Sequence, residues 1–429
     1  MSTATTKAGT VRQETGVVRH NYMCLLCDGV FFMLGGAFFD PTSVLPIFVS
    51  TLTTSSVLIG LSSTIRSVGW TLPQIVAARY VGAMPRKKPV VIAASTVQRI
   101  MVFGAGLVAL LLAERAPAAA LGAFFVVLVL FSLSDGVVGV PWTDIASRAV
   151  PHTRRGRLFG TMQAAGGLLA FGAGFLVKWI LSHPQLGYPA NFAVLFFIAT
   201  GLLVVSLGWF CGVREPAGQV TKVVRQSWLT YLRRVPDLYR RKPATARLVA
   251  VWILTTGIYL GVPFFAIYGR DVLGYEPAAV GLFISFQQVG RVLGGLLGAR
   301  IADFYGNRRL VRAVALVGAA APLLAMLVYP WAGSAVSRLV YPLVFALLGA
   351  FFAGSWMGFT NYLLELTDEA ERPYYLGASN TLVAPFTFFG VLGGVVIANA
   401  GYVVTFGLAA LLCLAALLVS NGLPEPRDA

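Results

Sequence analysis

Residues 58–79 and 279–300 are two versions of one stretch, LIGLSSTIRSVGWTLPQIVAAR and AVGLFISFQQVGRVLGGLLGAR, so this chain must fold as two related halves. At a spacing of 221, Gly60 falls on Gly281, Leu61 on Leu282, Val68 on Val289, Gly69 on Gly290, Leu72 on Leu293, Ala78 on Ala299 and Arg79 on Arg300. Further matches run at a spacing of 217: Pro46 falls on Pro263, and Thr143, Arg155, Gly160 and Phe171 fall on Thr360, Arg372, Gly377 and Phe388. The offset shifts where loops have changed length while the segments between them are kept.

Those segments are apolar. Hydrophobic residues make up 57% of the 429 and charged residues 12%, which leaves no water-soluble surface. A helix of about 20 apolar residues crosses a bilayer, and twelve such stretches can be marked. In the first half they run near 22–50, 57–81, 90–113, 118–142, 158–182 and 191–212. In the second they run near 247–269, 278–302, 310–330, 338–364, 374–399 and 402–421. The fold class expected is an all-α membrane protein of twelve transmembrane helices in two pseudo-symmetric six-helix bundles, 21–212 and 247–421. Tails at 1–20 and 422–429 and a linker at 213–246 complete the chain. Residues 1–20 carry no short apolar run before a small-residue cleavage site, so no removable signal peptide is expected.

Basic loops stay in the cytoplasm. With both termini on one side, that side collects 26 of the 33 Lys and Arg residues, against Arg115, Lys178, Arg270 and Arg338 on the other. Both termini are therefore expected to be cytoplasmic. The net charge of +16 is explained by these dispersed loop residues, and nucleic acid is not an expected partner. The excess of Arg over Lys and the abundance of Ala and Gly suggest a bacterial gene, hence the cell membrane. In the linker, Trp228, Leu232, Val235 and Tyr239 recur at helical spacing beside Arg233, Arg234, Arg240, Arg241 and Lys242. That pattern suits a helix on an anionic membrane surface, and equally a plain linker with topogenic charge.

The run from Ala299 to Arg309 reads ARIADFYGNRR, in which Asp303, Gly306, Arg308 and Arg309 stand at set intervals. It resembles the loop between spans 8 and 9 of the major facilitator superfamily, whose pattern is Gly, three residues, Asp, two residues, Gly, one residue and two basic residues. Ala299 replaces the leading Gly, and Phe304 stands where a basic residue follows the Asp. The matching loop of the first half departs further, with Gly82 in place of the Asp and Pro85 in place of the second Gly, while Arg86, Lys87 and Lys88 keep the basic end. The resemblance implies that these loops lock the cytoplasmic side of the outward-open state, that the protein is a monomer, and that the site lies near the midplane between the halves.

Charges inside spans are costly and survive where they are paired or functional. Asp40 in span 1 and Arg66 in span 2 both fall near mid-membrane, and their second-half counterparts, Gly257 and Gln287, are uncharged. An Asp40–Arg66 pair is therefore expected, either as a site of proton coupling or substrate binding or as a static bridge. Asp40 is the candidate proton carrier, beside a helix-breaking Pro41. Arg99 and Asp135 form a second candidate pair, of structural character. Asp28 and Arg291 lie nearer the cytoplasm, with Asp28 close enough to face headgroups. Asp144 and Arg148, at helical spacing, join Arg154, Arg155 and Arg157 as gate or anchor residues.

Gln287, Gln288, Asn361 and Asn380 are candidate polar cavity residues, and Trp70, Trp142, Trp252, Tyr259 and Trp356 are aromatics that either line a cavity or pack. Cys24 and Cys27 lack a second ligand pair, so no metal and no cofactor are expected. Span 5 has the glycines of drug antiporters without their proline. No catalytic constellation is present, and an enzyme is not expected. Two function classes fit: a secondary active transporter of a small organic solute, coupled to protons, and a non-transporting or lipid-flipping member of the same fold.

Overall fold

The computed structural model describes residues 2–81, 84–216, 228–368 and 371–425, and its regular elements are all helical. The first half holds α1 (Ser2–Phe38), α2 (Val44–Leu52), α3 (Ser56–Val81), α4 (Lys88–Leu112), α5 (Pro117–Ala149), α6 (His152–Ser182) and α7 (Ala190–Cys211). A linker helix, α8 (Trp228–Arg241), leads to α9 (Pro243–Thr255), α10 (Phe265–Asp271), α11 (Ala279–Tyr305), α12 (Asn307–Leu327), α13 (Ala335–Val340), α14 (Pro342–Leu366), α15 (Arg372–Val383) and α16 (Phe389–Ser420).

These helices make twelve spans. Among the described residues, ten stretches are long and apolar enough to cross a membrane, and one of them, Tyr374–Ser420, contains two spans parted at Gly401. Gly401 adopts φ 78°, a left-handed conformation open to glycine and costly for a side chain with a Cβ. The remaining span is α3, whose Ser62, Ser63, Thr64, Arg66 and Ser67 make it less apolar. The turn between α11 and α12 is a single residue, Gly306, at φ 86° and ψ 158°. That backbone conformation is the physical reason for the glycine in the loop pattern.

The internal symmetry shows in the breaks. Span 1 is interrupted at 39–43, between α1 and α2, and span 7 at 256–264, where two 3₁₀ turns separate α9 from α10. A shift of 217 brings the start of one break onto the start of the other, consistent with Pro46 matching Pro263.

Each half has an aromatic knot. In the first, Phe39 sits edge-on to Phe131 and Phe196 at 5.2 Å, and Phe48 lies 4.9 Å from Phe124. In the second, Phe283 stacks on Phe345 at 4.2 Å, with Tyr341 5.8 Å from Phe283. Such pairs add about 0.5–1.5 kcal/mol each beyond simple burial.

The halves meet through small residues, as packing in lipid requires. A Cβ on Gly281 of α11 would lie 2.1 Å from the Gly174 carbonyl of α6, and one on Gly60 of α3 would lie 2.1 Å from the Gly390 carbonyl of α16. Ser56 of α3 likewise lies against Gly394 of α16. These contacts lie from mid-membrane toward the face that carries the 53–55, 183–189 and 272–278 connections. The opposite face, with the 84–87, 212–216 and 367–368 segments, is the basic face.

On the basic face, α8 is pinned to the second half. Lys242 Nζ lies 2.5 Å from Asp368 and 3.5 Å from Glu371, Tyr375 donates to the Leu238 carbonyl at 2.8 Å, and Tyr239 bonds Ser379 at 2.9 Å. The Lys242 hydrogen bond holds the Asp368 carboxyl below its usual range, and the same contact holds the Lys242 ammonium above its own.

Gly281→Val overpacks the contact with Gly174, at a cost of about 1–3 kcal/mol, and should lower the thermal midpoint of the purified protein. Gly295→Val, on the same helix with nothing within 4 Å of its Cβ position, should not. For the linker, a carboxyl depressed in the folded state contributes above its unfolded value of about 3.9 and loses that contribution as pH falls through its folded value. An ammonium raised in the folded state contributes below about 10.4 and loses it as pH rises through its folded value. The protection of α8 amides, after correction for the intrinsic pH dependence of exchange, should therefore hold across neutral pH and fall at both extremes.

Candidate functional site

The break in span 1 is built by Asp40. Its Oδ1 accepts the Thr42 amide at 2.9 Å, the Thr42 hydroxyl at 2.5 Å and the Ser43 hydroxyl at 2.8 Å, while its carbonyl receives the Leu45 amide at 3.0 Å. The carboxylate thus satisfies donors that the ring of Pro41 and the restart of the helix leave without helical partners. Ser63 of α3 donates to the Pro41 carbonyl at 2.6 Å and ties the break to span 2.

Across the interface stands Gln287 of α11, whose Nε2 donates to the Thr42 hydroxyl at 3.1 Å. One turn further on, Arg291 feels the Asp40 charge without closing to an ion pair. The Gln287 Oε1 and Arg291 Nε atoms are buried and have no hydrogen-bond partner among the described residues. The structure therefore brings Asp40 and Gln287 together with Thr42 and Arg291 at a junction between the halves.

The expected Asp40–Arg66 pair is not formed. Arg66 Nη2 lies 2.5 Å from Asp135 Oδ2 instead, and its guanidinium lies over the Phe131 ring at 5.0 Å. The reason is packing: a Cβ on Gly69 would lie 2.4 Å from that of Ser132, so α3 and α5 run close together and Arg66 faces α5 rather than α1. Its Nη1 is buried without a partner among the described residues.

The direct Arg99–Asp135 pair is likewise replaced. Gln98 stands between them, donating to Asp135 Oδ1 at 2.8 Å and accepting a hydrogen bond from Arg99 Nη1. Arg99 also donates to the Leu203 carbonyl at 2.9 Å, the Ser95 carbonyl at 3.1 Å and the Ser206 hydroxyl at 3.3 Å. Ser206 donates to Asp28 Oδ1 at 2.6 Å, and the Trp142 indole to Asp28 Oδ2 at 2.7 Å. Asp28 is 6% exposed and so does not face headgroups. An unbroken polar chain thus runs inside the first half, from Asp28 through Ser206, Arg99 and Gln98 to Asp135 and Arg66. Gln98 and Ser206 were not among the sequence candidates, because an uncharged side chain on a buried face has no signature until its neighbours are known.

The residues expected to form the gate sit in junctions internal to each half. In the first, Lys87 Nζ lies 2.8 Å and Arg148 2.5 Å from Asp144, and Glu215 accepts the Lys87 and Lys88 amides at 2.7 and 3.1 Å. In the second, Asn307 donates to Glu365 at 2.8 Å, Arg308 to the Asn421 carbonyl at 2.8 Å, and Tyr362 to the Pro424 carbonyl. Arg309 lies over the Tyr305 ring at 5.3 Å, and Asp303 occupies the last turns of α11. Arg86 is exposed. Gln288 is buried, whereas Asn361 and Asn380 are exposed and their side chains make no hydrogen bond among the described residues. Gly82 and the side chains of Trp228, Leu232, Arg233 and Arg234 lie outside the described residues.

A fold of two six-helix bundles enclosing polar groups at their junction is that of a membrane transporter. The sequence model of the Major Facilitator Superfamily matches residues 26–382 and 248–428, and the chain belongs to that superfamily. A D-xylose-proton symporter has the same fold, with a TM-score of 0.72 at 15% identity over 96% of this chain and 99% of that one. A point mutant of the nucleoside transporter NupG gives 0.71 at 14% identity over 93% and 99%. Uncharacterized proteins of Mycobacterium tuberculosis (Rv2209) and Mycobacterium bovis (Mb2232) are 28% identical over 271 residues, 61% of this chain. The chain spans about half the length of these curated relatives.

Removing one member of a buried pair leaves an uncompensated charge and costs about 3–5 kcal/mol. Asp135→Leu should therefore lower the thermal midpoint sharply, and adding Arg66→Leu should restore much of the loss. A double variant no more stable than Asp135→Leu alone would show that the two do not pair.

Proposed function

We propose that the protein is a secondary active transporter that moves a small organic solute by rocking its two halves, driven by protons, with its basic face in the cytoplasm of a bacterial cell membrane. What carries this reading is the junction of Asp40, Thr42, Gln287 and Arg291. It joins the halves in the membrane interior, yet a single 3.1 Å hydrogen bond closes it, and Gln287 Oε1 and Arg291 Nε remain unsatisfied among the described residues. Buried polar atoms without partners are uncommon and costly. Atoms left so at an interface are suited to a ligand or to partners gained in another state.

The placement of the contacts supports an inward-facing arrangement. Gly60 with Gly390, Gly174 with Gly281, and the 2.8 Å bonds from Ser285 to the Phe171 carbonyl and from Arg270 to Ser50 all lie from mid-membrane toward the face away from the basic loops. Rocking would change the cation and donor set around Asp40, and a carboxylate's proton affinity follows that set. Arg66 and Asp135, 2.5 Å apart and continuous with the polar chain to Asp28, are the second candidate pair for coupling. Polar side chains at the junction are few, which favours an amphipathic or hydrophobic solute over a sugar phosphate. The working unit is a monomer, as is usual for the superfamily.

The test is proton flux in liposomes loaded with a pH dye, using a panel of lipophilic cations, organic anions and amino acids. The wild type should show solute-driven flux, and Asp40→Asn should abolish it while remaining folded. Equal flux in both would reduce Asp40 to a structural part of the break before α2 and leave Asp135→Asn as the variant to read. No flux with any compound would favour the non-transporting or lipid-flipping reading.

A further inference from the structure

The first half carries an open cavity of about 730 Å³ on its flank at the basic face, where the start of α4 meets the end of α7. Its lining combines the basic Arg86, Lys88 and Arg214 with the apolar Pro89, Ile92 and Ala93. The Arg86 and Arg214 side chains are exposed and make no hydrogen bond or ion pair among the described residues. Lys88 is held in place by donating to the Cys211 and Val213 carbonyls at 2.6 and 2.7 Å, which leaves one of its three donors free.

The carboxylate in the lining does not offset these charges. Glu215 already accepts the Lys87 and Lys88 amides and lies 3.3 Å from Arg148, which answers its charge from the protein side. Three cations thus converge on a cavity for which the described chain supplies no free anion. Like charges held close together repel, and an anion placed between them removes that cost. The apolar wall narrows the choice of anion. Pro89, Ile92 and Ala93 lie on the first turns of a membrane-spanning helix, so the apolar part of the lining adjoins the hydrocarbon region beside the basic part. A ligand that fits both parts has a phosphate head and an acyl tail. Basic pockets between helices at this level of the membrane suit acidic headgroups.

We propose that this cavity binds an anionic phospholipid of the surrounding leaflet. Arg86 and Arg214 hold the headgroup phosphate from the two sides, Lys88 completes the cradle, and one acyl chain lies along Pro89, Ile92 and Ala93. The lipid joins the 84–87 connection to the end of α7 and so braces the basic end of the first half. The site is apart from the inter-half junction and does not depend on what the protein transports.

The experiment is native mass spectrometry and thermal unfolding of the full chain in a neutral detergent. Phosphatidylglycerol, phosphatidylcholine or inorganic phosphate is added to separate samples. Wild type should retain phosphatidylglycerol in preference to phosphatidylcholine and be stabilised by it, and inorganic phosphate should do neither. Removing two interfacial charges should lower phosphatidylglycerol occupancy about tenfold or more in R86Q/R214Q. R86K/R214K should keep most of it, and R154Q/R157Q, which removes two charges from the same face outside the cavity, should match wild type. Equal retention of both lipids by wild type would overturn the proposal without recourse to any variant. So would undiminished phosphatidylglycerol binding by R86Q/R214Q. Stabilisation by inorganic phosphate equal to that by phosphatidylglycerol would make this a free-phosphate site and overturn the lipid assignment.

Discussion

A bilayer interior offers no water to a charged group, so each charge placed there must be met by the protein itself. In this chain that requirement centres on Asp135, which is 1% exposed and has both carboxylate oxygens engaged, one by Arg66 of α3 and the other by Gln98 of α4. The neighbouring Arg99 then needs its own acceptors and finds them on α7, at the Leu203 carbonyl and Ser206. Ser206 in turn answers Asp28 of α1. One buried carboxylate thus fixes the relative positions of five helices. The second half is organised differently. At the position matching Asp135 it has Phe352, which packs on Tyr259 at 6.2 Å, and aromatic and glycine contacts take the place of charge.

The architecture was largely legible in the sequence. Spacings of 217 and 221 pair the halves, span lengths follow from apolar runs, and Pro41 marks the place where span 1 breaks. Gly306 was legible as a motif residue, and its φ of 86° supplies the cause. The pairing of buried charges was not legible, for a geometric reason. Counting residues along a helix gives depth but not the direction in which a side chain points, and Asp40 and Arg66 share a depth while facing different neighbours. The one sequence cue to direction was Gly69, a turn beyond Arg66. A small residue there lets α3 approach Ser132 on α5, and Asp135 lies three residues further along. Asp28 was misplaced for the same reason, since its depth suited a headgroup contact while its direction put it against Trp142 and Ser206.

The loop motif shows a similar division between pattern and placement. The basic residues at 86–88 were legible as a unit, yet the structure divides them. Lys87 is spent on Asp144, and Lys88 is held by the Cys211 and Val213 carbonyls with its charge unanswered, whereas Arg86 is left without a partner among the described residues. A charge that the fold consumes and one that it presents outward look alike in a sequence. Only the surrounding acceptors tell them apart.

The contrast between the halves bears on how they can move. Shearing α3, α4, α5, α7 or α1 against one another would separate Arg66 from Asp135, or Arg99 from its acceptors, and strand charge in a medium that cannot solvate it. The first half should therefore move as a block. The interface between the halves carries no comparable restraint in the interior among the described residues. The hydrogen bonds there, from Gln287 to Thr42 and from Ser285 to the Phe171 carbonyl, are neutral, and the remaining closeness comes from glycines, whose contacts can part without leaving an ion bare. Net neutral hydrogen bonds are worth about 0.5–1.5 kcal/mol, whereas leaving one member of a buried ion pair uncompensated costs about 3–5 kcal/mol. Ion pairs are thus concentrated within the first half, while the halves meet through neutral hydrogen bonds and glycines beside an Asp40 and an Arg291 that form no ion pair, so parting the halves there would cost less than shearing the first half internally.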